Sequence, residues 1–137
     1  MLEIIVATLT GAIGYFIIGW IVFEFILGKF MAHNMTTVSG FMKSDEESSL
    51  LWIFVSCLAY SLLITILLSQ WIGNTTVIDG FILGATIGAL ISVMTNTYRW
   101  ASSHLFSNFK PIIADVIAAI LTVSFMGMVT SFTLNVL

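Results

Sequence analysis

The sequence predicts an all-α fold: a polytopic membrane protein built as an antiparallel bundle of four transmembrane helices. Three observations lead there. The 137 residues are 59% hydrophobic and only 8% charged, whereas a soluble domain carries roughly a quarter charged residues and under half apolar ones. Mean hydropathy is +1.11. The apolar residues also collect into four continuous runs, each longer than the ~20 residues needed to cross a ~30 Å hydrocarbon core as a helix. Four basic and seven acidic residues cannot cover a 15 kDa globule. A free soluble protein, a disordered tail and a basic nucleic-acid binder are thereby excluded. The runs are continuous instead of alternating, which excludes a transmembrane β-barrel.

Taken in order, the first helix is expected over about residues 2–31, broken only by Glu24. No Lys or Arg precedes Lys29, so this run lacks the positive start of a secretory signal and is read as retained. The second helix is expected over 45–71. Ser44 and Glu47 form a capping box, and Asp45, Glu46 and Glu47 complement the positive end of the helix dipole. Gly73-Asn74 is a plausible end for it. The third helix, 77–103, opens on a second cap, Thr76-x-x-Asp79, and the fourth, 111–136, has Pro111 at its first position. The connections are too short for a linker or second domain, so residues 1–137 form one transmembrane domain.

The few charges carry the orientation. Lys29 and Lys43 lie between helices one and two, Arg99 and Lys110 between three and four, and no basic residue lies at the other end. The positive-inside rule therefore places both longer loops in the cytoplasm and both termini outside. Trp20, Trp52, Trp71 and Trp100 all fall near helix ends, where interfacial belts place them. With a net charge of -3, no polybasic patch exists for anionic lipid or phosphate backbones.

Gly80, Gly84, Gly88, Ser92 and Asn96 recur every fourth residue in helix three. Such a glycine zipper lets another helix approach closely, and its polar members add interhelical hydrogen bonds. The simpler reading is a packing seam inside the bundle; the sharper one is a homo-oligomer contact. Gly11 with Gly14, and Gly127 with Ser131, form weaker seams.

Glu24 is the charge without an obvious structural role. Asp45, Asp79 and Asp115 lie near helix starts, but Glu24 falls near a helix end, where the dipole disfavours it. A carboxylate costs about 2.5–3.5 kcal/mol at mid-bilayer on insertion scales, and Glu24 lies roughly 30 Å along its helix, near the boundary. Snorkelling or pairing with Lys29 or Arg99 is the simpler reading. A proton or ligand site is the sharper one, and packing against an unseen partner is the third. Glu24, Asn96, Arg99, His104 and Asp115 can all gather at the cytoplasmic mouth, which makes them the candidate ligand or proton cluster. No metal is expected, since neither His33 nor His104 stands at H-x-x-x-H or E-x-x-H spacing. No haem or other cofactor is expected either. Cys57 lies within helix two without a neighbouring base, and no serine sits in a nucleophile elbow. The Asn34 and Asn74 sequons are read as chance.

The stretch GYFIIGWIVFEFILGKFMAHNM, Gly14–Met35, resembles the opening of the domain-of-unknown-function 1761 family, small bacterial and fungal proteins with four membrane helices. Gly19, Trp20, Phe23, Gly28, Lys29 and Phe30 carry the likeness. The segment GFILGATIGALISVMTN is similar to that family's third helix, and Asp115 corresponds to the aspartate opening its fourth. The resemblance implies four helices and transfers no catalytic residue.

The expected role is a non-enzymatic membrane bundle that self-associates or supports a membrane partner. Transport of a small solute or proton through the polar mouth around Glu24 is the alternative, and a membrane enzyme or metal-binding protein comes last. The expected setting is a multi-pass protein of the bacterial inner membrane. Its partners are the lipid bilayer and either a second copy or another membrane protein, with no nucleic acid.

Overall fold

The computed structural model describes residues 1–36, 49–72 and 76–137. Helix α1 runs Leu2–Trp20 and continues as a π-helical segment, Ile21–Ile26; a short helix α2 follows, Gly28–Asn34. Helix α3 spans Leu50–Ile66 and continues as a second π-helical segment, Leu67–Ile72. Helices α4, Val77–Ser102, and α5, Lys110–Val136, complete the chain. Among the described residues four helices are long and apolar enough to cross a membrane, and they pack antiparallel. At 1.5 Å per residue the shortest, Leu50–Gln70, spans about 31 Å, enough for the hydrocarbon core.

The distribution of side chains is that of a bundle in lipid. Leu2, Ile5, Leu9, Ile13, Ile17 and Trp20 recur at three- and four-residue steps along α1, and all are exposed. The interior instead holds Thr8, Ser61, Thr65, Ser92, Asn96, Thr122, Ser124, Thr130 and Ser131 beside Ile64, Leu68, Val123 and Met126. In a bilayer large apolar side chains gain nothing by turning inward, while small and polar ones let helices approach and bond. Three of the buried hydroxyls bond within their own helix: Thr65 donates to the Ser61 carbonyl at 2.8 Å, Thr122 to the Ala118 carbonyl at 2.8 Å and Ser124 to the Ile120 carbonyl. Ser61 donates across to the Thr8 carbonyl at 2.8 Å, and the Thr8, Thr130 and Ser131 hydroxyls have no partner among the described residues.

Helix α5 is the axis of the bundle, touching α4, α1 and α3. Its closest approach is to α4, because Gly80, Gly84 and Gly88 present no side chain there. A Cβ added at Gly84 would stand 2.8 Å from the Ser124 Cα, and one at Gly88 2.7 Å from the Ala119 carbonyl oxygen. The glycine face of α4 is thus covered by α5 of the same chain. Gly11 is enclosed in the same way, by the hydroxyls of Ser61 and Thr130.

The helix boundaries differ from the sequence reading in three places. The first span leaves the α-helical register at Ile21, and at Leu27 the chain turns (φ -97, ψ -11) into α2, instead of running straight to residue 31. The second span starts at Leu50, after Ser49 in extended backbone; the capping box expected at Ser44–Glu47 and the Gly73-Asn74 end lie outside the described residues. Pro111 is the second helical residue, since α5 begins at Lys110. The Thr76–Asp79 capping box forms as the sequence indicates: Thr76 Oγ1 accepts from the Asp79 amide at 3.2 Å, and the Asp79 carboxylate accepts from the Thr76 amide at 2.8 Å.

At the end of the bundle carrying Lys29, Arg99 and Lys110, hereafter the basic end, α2 is tied to the α4–α5 connection. The Thr36 amide donates to the Leu105 carbonyl at 2.6 Å and the Ser107 amide to the Asn34 carbonyl at 3.1 Å. Asn108 Nδ2 donates to Asn34 Oδ1 at 3.0 Å. Phe106 is buried beneath this pairing.

Candidate functional site

Asp115 lies in α5 about 8 Å from the helix start, counting 1.5 Å per residue from Lys110. The four-residue step that aligns the α4 glycines also aligns Ser92 and Asn96, so both face α5 one and two turns beyond Gly88. There they meet Asp115. Ser92 Oγ donates to Asp115 Oδ2 at 2.5 Å, and Asn96 Nδ2 donates to the same oxygen at 2.6 Å. Asn96 Nδ2 also donates to the Ser92 carbonyl at 2.9 Å, which fixes the amide on its own helix. Ser92 and Asn96 are buried and Asp115 partly so. Both donors converge on Oδ2, so the carboxylate is held in one orientation while Oδ1 takes no bond from a described residue.

A cavity of about 160 Å³ lies against this group. Tyr15 and Tyr60 form part of its wall, their rings edge-to-face with centroids 5.5 Å apart. Gly88 and Val123 line it toward the middle of the bundle, and Arg99, exposed near the end of α4, lines it toward the basic end. The volume is that of a small molecule of a few heavy atoms, or several waters. One fixed carboxylate, one exposed guanidinium toward the basic end and two phenol rings give the space a graded polarity. It can take a proton or a small cation at Asp115 and shield that charge from lipid.

Of the five residues that the sequence gathers into one cluster, Asn96, Arg99 and Asp115 line this cavity. Glu24 and His104 do not. Glu24 sits exposed in the π-helical segment of α1, at a separate groove of about 280 Å³ between α1 and α3. His104 and His33 are both exposed. Among the described residues no three His, Cys, Asp or Glu side chains group to hold a metal ion. Cys57 is a free, buried thiol in the wall of the Glu24 groove. Sequence reasoning did not assign Tyr15 or Tyr60 to the site. The only available signal was that each is a phenol in the middle of an otherwise apolar span, and no spacing rule says which way such a residue turns.

Comparison of the chain with protein-family models, curated proteins and solved structures finds no match.

Proposed function

We infer that the protein is a small, non-enzymatic membrane bundle that binds a small monovalent cation, the proton included, at Asp115 and carries it across the bilayer. The supporting observation is the asymmetry of the carboxylate: Oδ2 is engaged by Ser92 and Asn96, and Oδ1 is left for a ligand beside a polar cavity. An ionisable side chain inside a membrane span is costly, and such residues mark solute, ion and proton pathways. A bundle serving only to pack or to support a partner needs the glycine face of α4, but it has no use for a carboxylate held open to a cavity.

The alternating four-residue face of α4 serves both purposes in sequence. Its glycines bring α4 and α5 together, and that approach sets the Ser92 and Asn96 donors within reach of Asp115. Arg99 at the opening sets a positive potential that the solute must pass or displace, so its side chain is the natural point of control on the aqueous side.

The test is flux of radiolabelled methylammonium into proteoliposomes of the purified full chain. Wild-type vesicles are expected to exceed protein-free vesicles, and Asp115→Asn to return to the protein-free rate, while Glu24→Gln retains the wild-type rate. Asp115→Asn vesicles as active as wild type, or wild-type vesicles no faster than protein-free ones, would overturn the reading.

A further inference from the structure

The Asp115 cavity has a neighbour that shares its walls. Tyr15 and Phe23 line both it and the larger groove between α1 and α3. The groove is open beside Gly19, where an added Cβ would meet none of the described residues within 4 Å. Beyond Gly19 the helix widens into the π-helical segment Ile21–Ile26, which carries both Phe23 and Glu24. Segments of this kind insert an extra residue into a turn and are frequent at functional sites. Here Phe23 stands between the two spaces, and Glu24 lines the groove alone.

The two openings differ in charge. Arg99 belongs to the Asp115 cavity and Glu24 to the groove. A cation entering through the aqueous mouth meets a guanidinium first, whereas one entering from the bilayer meets a carboxylate. The groove wall also holds Phe16, Trp20 and Ile53. Aromatic faces attract a cation, most strongly where it is stripped of water, and the apolar side chains accept a hydrocarbon body.

We propose that the groove between α1 and α3 is a lateral entrance from the lipid to the Asp115 cavity, and that it admits amphiphilic monocations, an ammonium group carried on an aromatic or alkyl body. Glu24 collects the ammonium at the headgroup level, the groove holds the body, and rotation of Phe23 beside Tyr15 opens the way to Asp115. This rests on Asp115 being a cation site, and it assigns Glu24 a place in the route that the cavity itself does not.

The experiment measures equilibrium binding of two probes to the full chain in phosphatidylcholine nanodiscs, corrected by protein-free discs. Benzyltrimethylammonium carries an aromatic body, and tetramethylammonium is the same head without it. Neopentylbenzene, the neutral carbon isostere of the first, is the competitor that tests for charge. Benzyltrimethylammonium is expected to bind about tenfold tighter than tetramethylammonium, the factor expected of one aromatic pair made by the added ring. Glu24→Gln and Gly19→Leu, the second filling open space, are each expected to lower benzyltrimethylammonium affinity by about fivefold or more while leaving tetramethylammonium within about twofold. Retained tetramethylammonium binding also reports that both variants fold. Neopentylbenzene competing as well as benzyltrimethylammonium, or both variants binding it as wild type does, would overturn the lateral entrance and leave the Asp115 site standing. Loss of neither probe in Asp115→Asn would overturn both.

Discussion

Replacing Gly84 with alanine adds one methyl group where α4 and α5 meet, and the structure sets what that methyl encounters. It would stand 2.8 Å from the Ser124 Cα and 2.8 Å from the Val123 carbonyl carbon, and still closer to the Val123 carbonyl oxygen. Carbon atoms rest at about 3.5–4.0 Å, so α4 must retreat by about 0.7 Å or more. The three nearest atoms are all backbone, so no rotamer change relieves those contacts. Overpacking of this kind costs about 1–3 kcal/mol, offset by about 0.5–1 kcal/mol for removing a helical glycine. The net expectation is a loss of about 1–2 kcal/mol. Gly14→Ala is the internal control, because its methyl would lie 3.5 Å from the Phe125 ring and from a Val129 methyl, an ordinary contact. That variant is expected to gain about 0.5–1 kcal/mol from the backbone term alone. Reversible unfolding in mixed micelles of sodium dodecyl sulfate, followed by circular dichroism, measures both. The reasoning is refuted if Gly84→Ala is as stable as wild type, or if Gly14→Ala falls as far.

Two further substitutions probe separate parts of the bundle by the same unfolding assay. Thr76→Ala removes the side chain that accepts from the Asp79 amide and is expected to cost about 0.5–2 kcal/mol; an unchanged midpoint would show the cap to be idle. Thr130 Oγ1 is buried without a hydrogen-bond partner among the described residues, so Thr130→Val is expected to raise stability by about 1 kcal/mol, and a loss of that size would contradict it.

What the sequence made legible was whatever one helix encodes by itself. Four unbroken apolar runs specify four spans, Thr76 and Asp79 specify a cap, and the four-residue step from Gly80 to Asn96 specifies a face. Asn96, Arg99 and Asp115 were also within reach, since antiparallel neighbours bring the end of one helix beside the start of the next. Rotation about the helix axis was not. On α1 the small residues Gly11 and Gly14 mark a packing seam and the large ones Ile13 and Ile17 the lipid side, but that stripe does not say which neighbour the seam meets, so it does not pair Tyr15 with Tyr60. The π-helical segment Ile21–Ile26 departs from the α-helical register that the sequence reading assumes, and Glu24 within it lines the groove. A carboxylate without a cap was a sound reason to single out Glu24, but the same charge arithmetic gave Asp115 a helix-start explanation. Asp115 is bonded instead by the side chains of α4.

The central claim is that Asp115, through the oxygen left free by Ser92 and Asn96, is the group that receives the cation. Infrared difference spectroscopy of the full chain in nanodiscs, recorded on adding tetramethylammonium, tests it most directly. A perturbation in the carboxyl stretching region is expected in wild type and in Glu24→Gln, and is expected to vanish in Asp115→Asn. A perturbation that survives in Asp115→Asn, or one that disappears with Glu24→Gln alone, would contradict the account.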